Sequence, residues 1–156
     1  TPLYSSAASD VYKRQPNKDE YRRVEYNIPV DVAKIAKANS VKSFYYVSSI
    51  GANPNASSNY LKNKGQVEGE LKNLNFSKLA IIRPSLLIGN RKSFRLGEVI
   101  FTPVMNTLTL FAFGGLKKYK PIKIQNVVKA ILHISKNVSD KIVFESDELE
   151  RIAKSN

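Results

Sequence analysis

Tyr60 and Lys64 stand four residues apart in the stretch Ser-Ser-Asn-Tyr-Leu-Lys-Asn-Lys-Gly (57–65). On a helix, residues at this spacing lie one above the other on a single face. A phenol ionises near pH ~10 and is a poor base at neutral pH. A fixed ammonium about 5 Å away contributes roughly 3 kcal/mol at an effective dielectric of ~20, which lowers that value by about two pH units. So biased, Tyr60 can pass a proton to or from a carbonyl or alcohol oxygen. Ser48 and Ser49 close a β-rich run shortly upstream, and a serine hydroxyl there can hydrogen-bond the same oxygen. Ser49 is preferred, because neighbours on a strand face opposite ways. The competing reading makes Tyr60 a packing residue, Lys64 a snorkelling surface lysine and the serines an ordinary strand end.

These side chains need a strand and a helix to carry them. Asn17 followed by Glu20 reads as a capping box. Val24, Ile28, Val32, Ile35 and Ala36 then form a helical stripe to about Ala38, and Pro29 predicts a kink or restart within it. Asn39-Ser40 ends that helix, and Ser43 to Val47 reads as a strand. A loop of Gly, Pro and Asn over 51–57 follows, and Ser57 or Ser58 caps the helix of Tyr60 and Lys64. That helix continues its inward face through Val67, Leu71 and Leu74. Leu79 to Ile82 is a wholly apolar run closed by Arg83-Pro84, as in a buried parallel strand.

Further along, a loop with Gly89 and Gly97 leads to an apolar helix over 98–111, ended by Gly114-Gly115. A short strand over 122–124, an amphipathic helix around Val127 to Ser135, a strand over 141–144 and a frayed helical tail complete the chain. Helix and strand alternate throughout, which argues an α/β layer structure with a parallel sheet. The first fifteen residues have no period of either kind and read as a non-native or disordered segment. The domain then runs over 16–156.

Three stretches in order carry a family likeness: Val-Ser-Ser-Ile-Gly-Ala-Asn (47–53), Tyr-Leu-Lys-Asn-Lys-Gly-Gln-Val-Glu (60–68) and Ile-Arg-Pro-Ser-Leu-Leu-Ile-Gly-Asn-Arg (82–91). Together they resemble the atypical, extended-type branch of the short-chain dehydrogenases/reductases. That branch holds NAD(P)H-binding and nucleoside-diphosphate-sugar-epimerase-like proteins, including oxidoreductase relatives named for binding the viral Tat protein. The resemblance implies a Rossmann-like doubly wound parallel sheet and an NAD or NADP cofactor. It implies Ser49, Tyr60 and Lys64 as catalytic residues, with Lys64 and Tyr60 also on the nicotinamide ribose. Pro84, Ser85 and Leu86 match the segment that lies along the nicotinamide. The implied substrate is a small carbonyl or alcohol compound or a nucleotide sugar. The alternative on the same fold is a non-catalytic NAD(P)H-binding regulator or assembly factor.

Relatives of this type open with a strand, a Gly-x-x-Gly-x-x-Gly turn and a helix that binds the pyrophosphate. The first glycine here is Gly51, already in the loop before the Tyr-Lys helix. The chain is therefore expected to be the C-terminal part of the fold, lacking the first strands, and inactive by itself.

Composition sets the remaining bounds. With no cysteine there is no disulfide framework and no thiolate metal site, and the one histidine, His133, reads as structural. No apolar run reaches the length of a spanning helix, so no membrane is expected. A cytoplasmic setting fits these features. The net charge of +12 is spread along the chain without a recognised nucleic-acid motif, so scattered solvated lysines are expected rather than a nucleic-acid surface. Oligomeric state is not legible.

Overall fold

A computed structural model describes residues 17–89 and 118–155. Residues 1–15, the apolar stretch over 98–111 and Gly114-Gly115 lie outside the described residues. The chain divides into two compact units, one containing residues 17–42 and 53–76, the other 43–52 with 77–89 and 118–155.

The first unit is helical. Helix α1 (Lys18–Arg22) runs into a π-helical turn (Arg23–Asn27) and then α2 (Ile28–Ala38). Asn17 is the N-cap, its side chain accepting from the Asp19 N–H at 3.1 Å, while Glu20 lies beside Arg23 at 4.0 Å. The expected interruption at Pro29 takes the form of that π turn. Proline has no N–H and its ring crowds the carbonyl four residues back, that of Glu25. A wider turn relieves the clash, and Ile28 N–H bonds to the Arg23 carbonyl instead. Asn39 ends α2 with its side chain on the Ile35 carbonyl at 2.8 Å, and Ser40 takes a left-handed φ of 61°.

The apolar stripe expected on this helix is the face that stays exposed. Val24, Ile28, Val32 and Ile35 are 44–63% exposed, while Val30 and Ala33 are buried. A short loop from Asn53 leads to α3 (Asn59–Asn73), on which Val67 and Leu71 are fully buried. Ser58 is its N-cap by position, without a side-chain cap bond.

The second unit holds the sheet. Strands β1 (Ser43–Val47), β2 (Lys78–Arg83) and β5 (Val143–Glu145) pair in the order β1-β2-β5, both pairings parallel. A second, two-stranded parallel pair joins β3 (Leu87–Ile88) to β4 (Ile122–Lys123). Helices α4 (Ile124–Lys136) and α5 (Ser146–Lys154) follow β4 and β5. Central β2 is buried along Leu79–Ile82, as a strand flanked on both sides must be.

One core cluster joins Ala80 and Ile82 of β2, Ile122 of β4, Val127, Ala130 and Ile134 of α4, Phe144 of β5 and Leu149 of α5. Each fully buried Ile or Leu among them contributes roughly 1.5–3 kcal/mol of transfer free energy. The last strand starts later than its apolar run implied, because pairing begins where the Ile142 carbonyl accepts from Ile81 N–H at 2.7 Å. The tail is a formed helix, burying Leu149 and Ala153. This is an α/β architecture with a parallel sheet, the arrangement of the later part of a Rossmann-like fold. No helix among the described residues is long and apolar enough to cross a membrane.

Candidate active site

In the first unit, Tyr60 and Lys64 occupy the first turns of α3 on one face. Tyr60 is half-buried; the Lys64 side chain is only 14% exposed. The ammonium lies 5.7 Å from the Tyr60 ring centroid. A cation so far out of water requires a counter-charge. Glu25 supplies it from the π turn, with Oε2 3.4 Å from Lys64 Nζ.

Polar contacts on either side fix the same two segments together. Arg22 donates to Asn63 Oδ1 at 3.2 Å and to Gln66 Oε1 at 2.8 Å, and its guanidinium covers the Tyr26 ring at 4.2 Å. The Tyr26 hydroxyl donates to Glu70 Oε1 at 3.2 Å. Burial, then that bond to a carboxylate, raises the Tyr26 phenol above its ordinary range. Tyr21 is pushed up to about 12, first by burial and then by the negative charges of Glu25 and Tyr60. It therefore keeps its proton at neutral pH. Arg22, Glu25 and Tyr26 all reach α3 from one face of the preceding helix.

Gly65 lets the loop before α3 lie against the helix. A Cβ there would sit 2.3 Å from the Asn53 carbonyl carbon and 2.4 Å from Pro54 N. Asn53 in turn donates its N–H to the Leu61 carbonyl at 3.1 Å.

In the second unit, the loops after β1 and β2 and the start of α5 directly after β5 leave from the carboxyl edge of the parallel sheet, the edge where ligands bind in open α/β sheets. Ser48 and Ser49 are both buried, at 4% and 3% exposure. Ser48 N–H extends the ladder to the Ile82 carbonyl at 2.7 Å, and Ser49 Oγ makes only a long bond to the Ile50 carbonyl at 3.4 Å. A tight turn follows, closed by Ala52 N–H on the Ser49 carbonyl, and Gly51 supplies its positive φ of 78°.

Pro84, Ser85 and Leu86 are held from both sides. The Pro84 carbonyl accepts from Ile50 N–H at 3.0 Å and the Leu86 carbonyl from Ile122 N–H at 2.9 Å. The Ser85 hydroxyl donates to the Lys120 carbonyl, so in its 2.9 Å contact with Ser146 Oγ the proton comes from Ser146. These bonds fix the segment in place, with Pro84 and Ser85 buried and Leu86 half-buried.

Arg83 and Glu145 are register partners on β2 and β5, with Nη1 3.2 Å from Oε1; Arg83 Nη2 also donates to the Ala52 carbonyl at 3.2 Å. The predicted residues thus form two groups, Tyr60 with Lys64 in one unit, and Ser49 with Pro84, Ser85 and Leu86 in the other. Sequence reasoning missed Glu25, Tyr21 and Ser146. The spacing of 21, 22, 25 and 26 was a legible signal for one helix face, but charged residues there look the same as a solvated surface.

No protein-family model matches the chain. Over 160 aligned positions it is 31% identical to the mitochondrial protein FMP52 of Candida albicans, covering 98% of this chain and 69% of that protein. It is 41% identical over 75 residues to the mitochondrial protein FMP52-1 of Scheffersomyces stipitis, covering 48% of this chain and 33% of the relative. Protein HTATIP2 of Rattus norvegicus is 36% identical over 86 residues, covering 55% of this chain and 36% of the relative. The chain thus spans between one third and about two thirds of these relatives' lengths. The expected cytoplasmic setting is corrected by these matches: the FMP52 relatives from Candida albicans, Debaryomyces hansenii, Candida glabrata and Meyerozyma guilliermondii are all named as mitochondrial. Composition carries no signal for this compartment, because a reduced interior and a low cysteine count are common to both. From the match to the Candida albicans protein, which takes in 98% of this chain and 69% of that protein, the chain belongs to the FMP52 family.

Proposed function

We propose that the protein carrying this chain is an NAD(P)-dependent oxidoreductase of the atypical short-chain dehydrogenase/reductase type, acting in mitochondria on a small carbonyl or alcohol compound. The observation that carries this is the largely buried ammonium of Lys64, one turn beyond Tyr60 and 5.7 Å from its ring. The similarity to FMP52 proteins and to HTATIP2 supports the same branch that the motifs resemble. Relatives named as mitochondrial support the compartment.

In this function Tyr60 moves the proton at its phenol oxygen to or from the substrate oxygen. Lys64 favours the phenolate through its charge, and Ser49 is assigned the hydrogen bond to the substrate oxygen. Lys64 and Tyr60 would hold the nicotinamide ribose, with the nicotinamide along Pro84, Ser85 and Leu86. The bound NAD or NADP supplies or accepts the hydride. The partly exposed apolar side chain of Leu86, on a segment held in place by its own hydrogen bonds, supports that placement of the ring.

The test uses the protein expressed from its complete reading frame. NAD(P)H consumption is followed against a panel of aldehydes, ketones and nucleotide sugars. Tyr60→Phe is expected to lower turnover by roughly 10²–10⁴-fold while NAD(P)H binding, read by fluorescence, stays within about twofold. Unchanged turnover rejects the role of Tyr60. Cofactor binding with no turnover across the panel instead supports the non-catalytic NAD(P)H-binding alternative. Fractionation of cells carrying a tagged copy checks the compartment, and recovery outside mitochondria rejects it.

A further inference from the structure

Glu25 has no place in the chemistry assigned above, yet its carboxylate lies 3.4 Å from the Lys64 ammonium. It lies in the π turn Arg23–Asn27, a backbone feature that recurs at functional sites more often than elsewhere in helices. Its side chain is 25% exposed and that of Lys64 is 14% exposed, so the pair is mostly withdrawn from water. In such a place a carboxylate does two things at once. It holds the ammonium in one position, and its own charge acts on every phenol nearby.

The neighbourhood is defined on both sides. From the π turn and α1 come Tyr21, Arg22, Glu25 and Tyr26; from α3 come Tyr60, Lys64, Glu68 and Glu70. Arg22 is engaged by Asn63 and Gln66, and Glu70 by the Tyr26 hydroxyl. Tyr21, adjoining the pair, is held protonated in part by Glu25, which shows the reach of this carboxylate among the phenols.

We propose that Glu25 is a positioning residue for Lys64, holding the ammonium beside Tyr60 and tempering its pull on the phenol, so that the carboxylate sets the pH at which Tyr60 releases its proton. This rests on the reading of Tyr60 as the proton-transfer group. With Glu25 ionised, the cation is matched by an anion, and forming the Tyr60 phenolate adds a second negative charge. Removing the Glu25 charge while keeping its shape takes one negative charge away from beside Lys64 and Tyr60, so forming that phenolate costs less.

The experiment is a pH titration of the protein from its complete reading frame, labelled with [ζ-¹³C]tyrosine and followed by NMR. The Tyr60 signal is identified by its loss in Tyr60→Phe. In Glu25→Gln the Tyr60 midpoint is expected to fall by roughly one pH unit, in the range that a single charge at close distance produces. Glu25→Asp retains the charge but withdraws it by one methylene, and gives a smaller shift in the same direction. An unmoved or raised Tyr60 midpoint in either variant, with circular dichroism showing a folded protein, overturns the proposal. The titration needs no substrate, so its outcome is separate from that of the turnover assay. Unchanged turnover in Tyr60→Phe would remove the function and leave the Glu25 effect standing; an unmoved midpoint would remove only the role of Glu25.

Discussion

Arg83 ties three segments at the carboxyl edge of the sheet, bonding the Glu145 carboxylate on β5 and the Ala52 carbonyl in the loop after β1 from its own place on β2. Hydrogen bonds to charged groups in partly buried positions contribute about 1.5–3 kcal/mol each, and the exposed fraction of this pair puts it at the lower end. Arg83→Ala is therefore expected to lower stability by about 2 kcal/mol, measured as the shift of the urea unfolding midpoint. A loss below about 0.5 kcal/mol would show that the contacts are solvated away. Tyr21 gives a different readout. Its phenol ionises at about 12 in the folded chain against 10.0 ordinarily, so the folded state holds the proton more tightly than the unfolded state. The stability it contributes is complete below pH 10 and is lost as pH rises toward 12. In Tyr21→Phe that part of the alkaline loss should vanish, seen as a flatter dependence of the urea midpoint on pH across this window. An unchanged dependence would place Tyr21 in an ordinary environment. Neither role was visible in the chain, since Arg83 meets a partner 62 residues away and Tyr21 resembled any exposed helix tyrosine.

Among the elements, the strands were the most legible. Ser43 to Val47 and Leu79 to Ile82 are short β-rich or wholly apolar runs with hard stops, and they form β1 and the buried part of β2. The helix before them packs through a different face from its apolar stripe. Its apolar period is real, but Val30 and Ala33 are the residues that pack, because small side chains let a helix approach more closely. The break at Pro29 was foreseen, though its form, a π turn carrying Glu25, depends on the helix continuing through it. Helix α3 offers the sharpest test at this scale. Gly65 faces the backbone of Asn53 and Pro54, groups that cannot swing aside as a side chain can. Gly65→Ala should therefore destabilise by about 1–3 kcal/mol despite the better helix propensity of alanine, whereas Gly69→Ala, with open space around it, should stabilise by up to about 1 kcal/mol. Thermal unfolding of both variants decides this; the opposite signs make a common propensity effect easy to recognise.

For the whole molecule, 25 Lys and Arg against 13 Asp and Glu leave +12 at pH 7. Like charges in this excess repel one another more in the compact state than in the expanded chain, and salt screens them over ~8–10 Å near physiological ionic strength. The melting temperature is expected to rise by a few degrees between about 20 mM and about 300 mM sodium chloride. A fall would mean that the ion pairs Lys64–Glu25, Arg83–Glu145 and Lys141–Glu148 (2.6 Å) outweigh the general repulsion. The compartment is the molecular property that composition misjudged, and the FMP52 relatives corrected it. By itself the sequence determined the alternation of helix and strand, the parallel α/β class and the helix that stacks Tyr60 on Lys64, all of which follow from local period and stop signals. Only the tertiary structure decided that Lys64 is paired with Glu25, that Ser85 is bonded to Ser146 and that Arg83 lies beside Glu145. Those pairings join residues distant along the chain, and the packing of whole elements sets their distances, which no local pattern encodes.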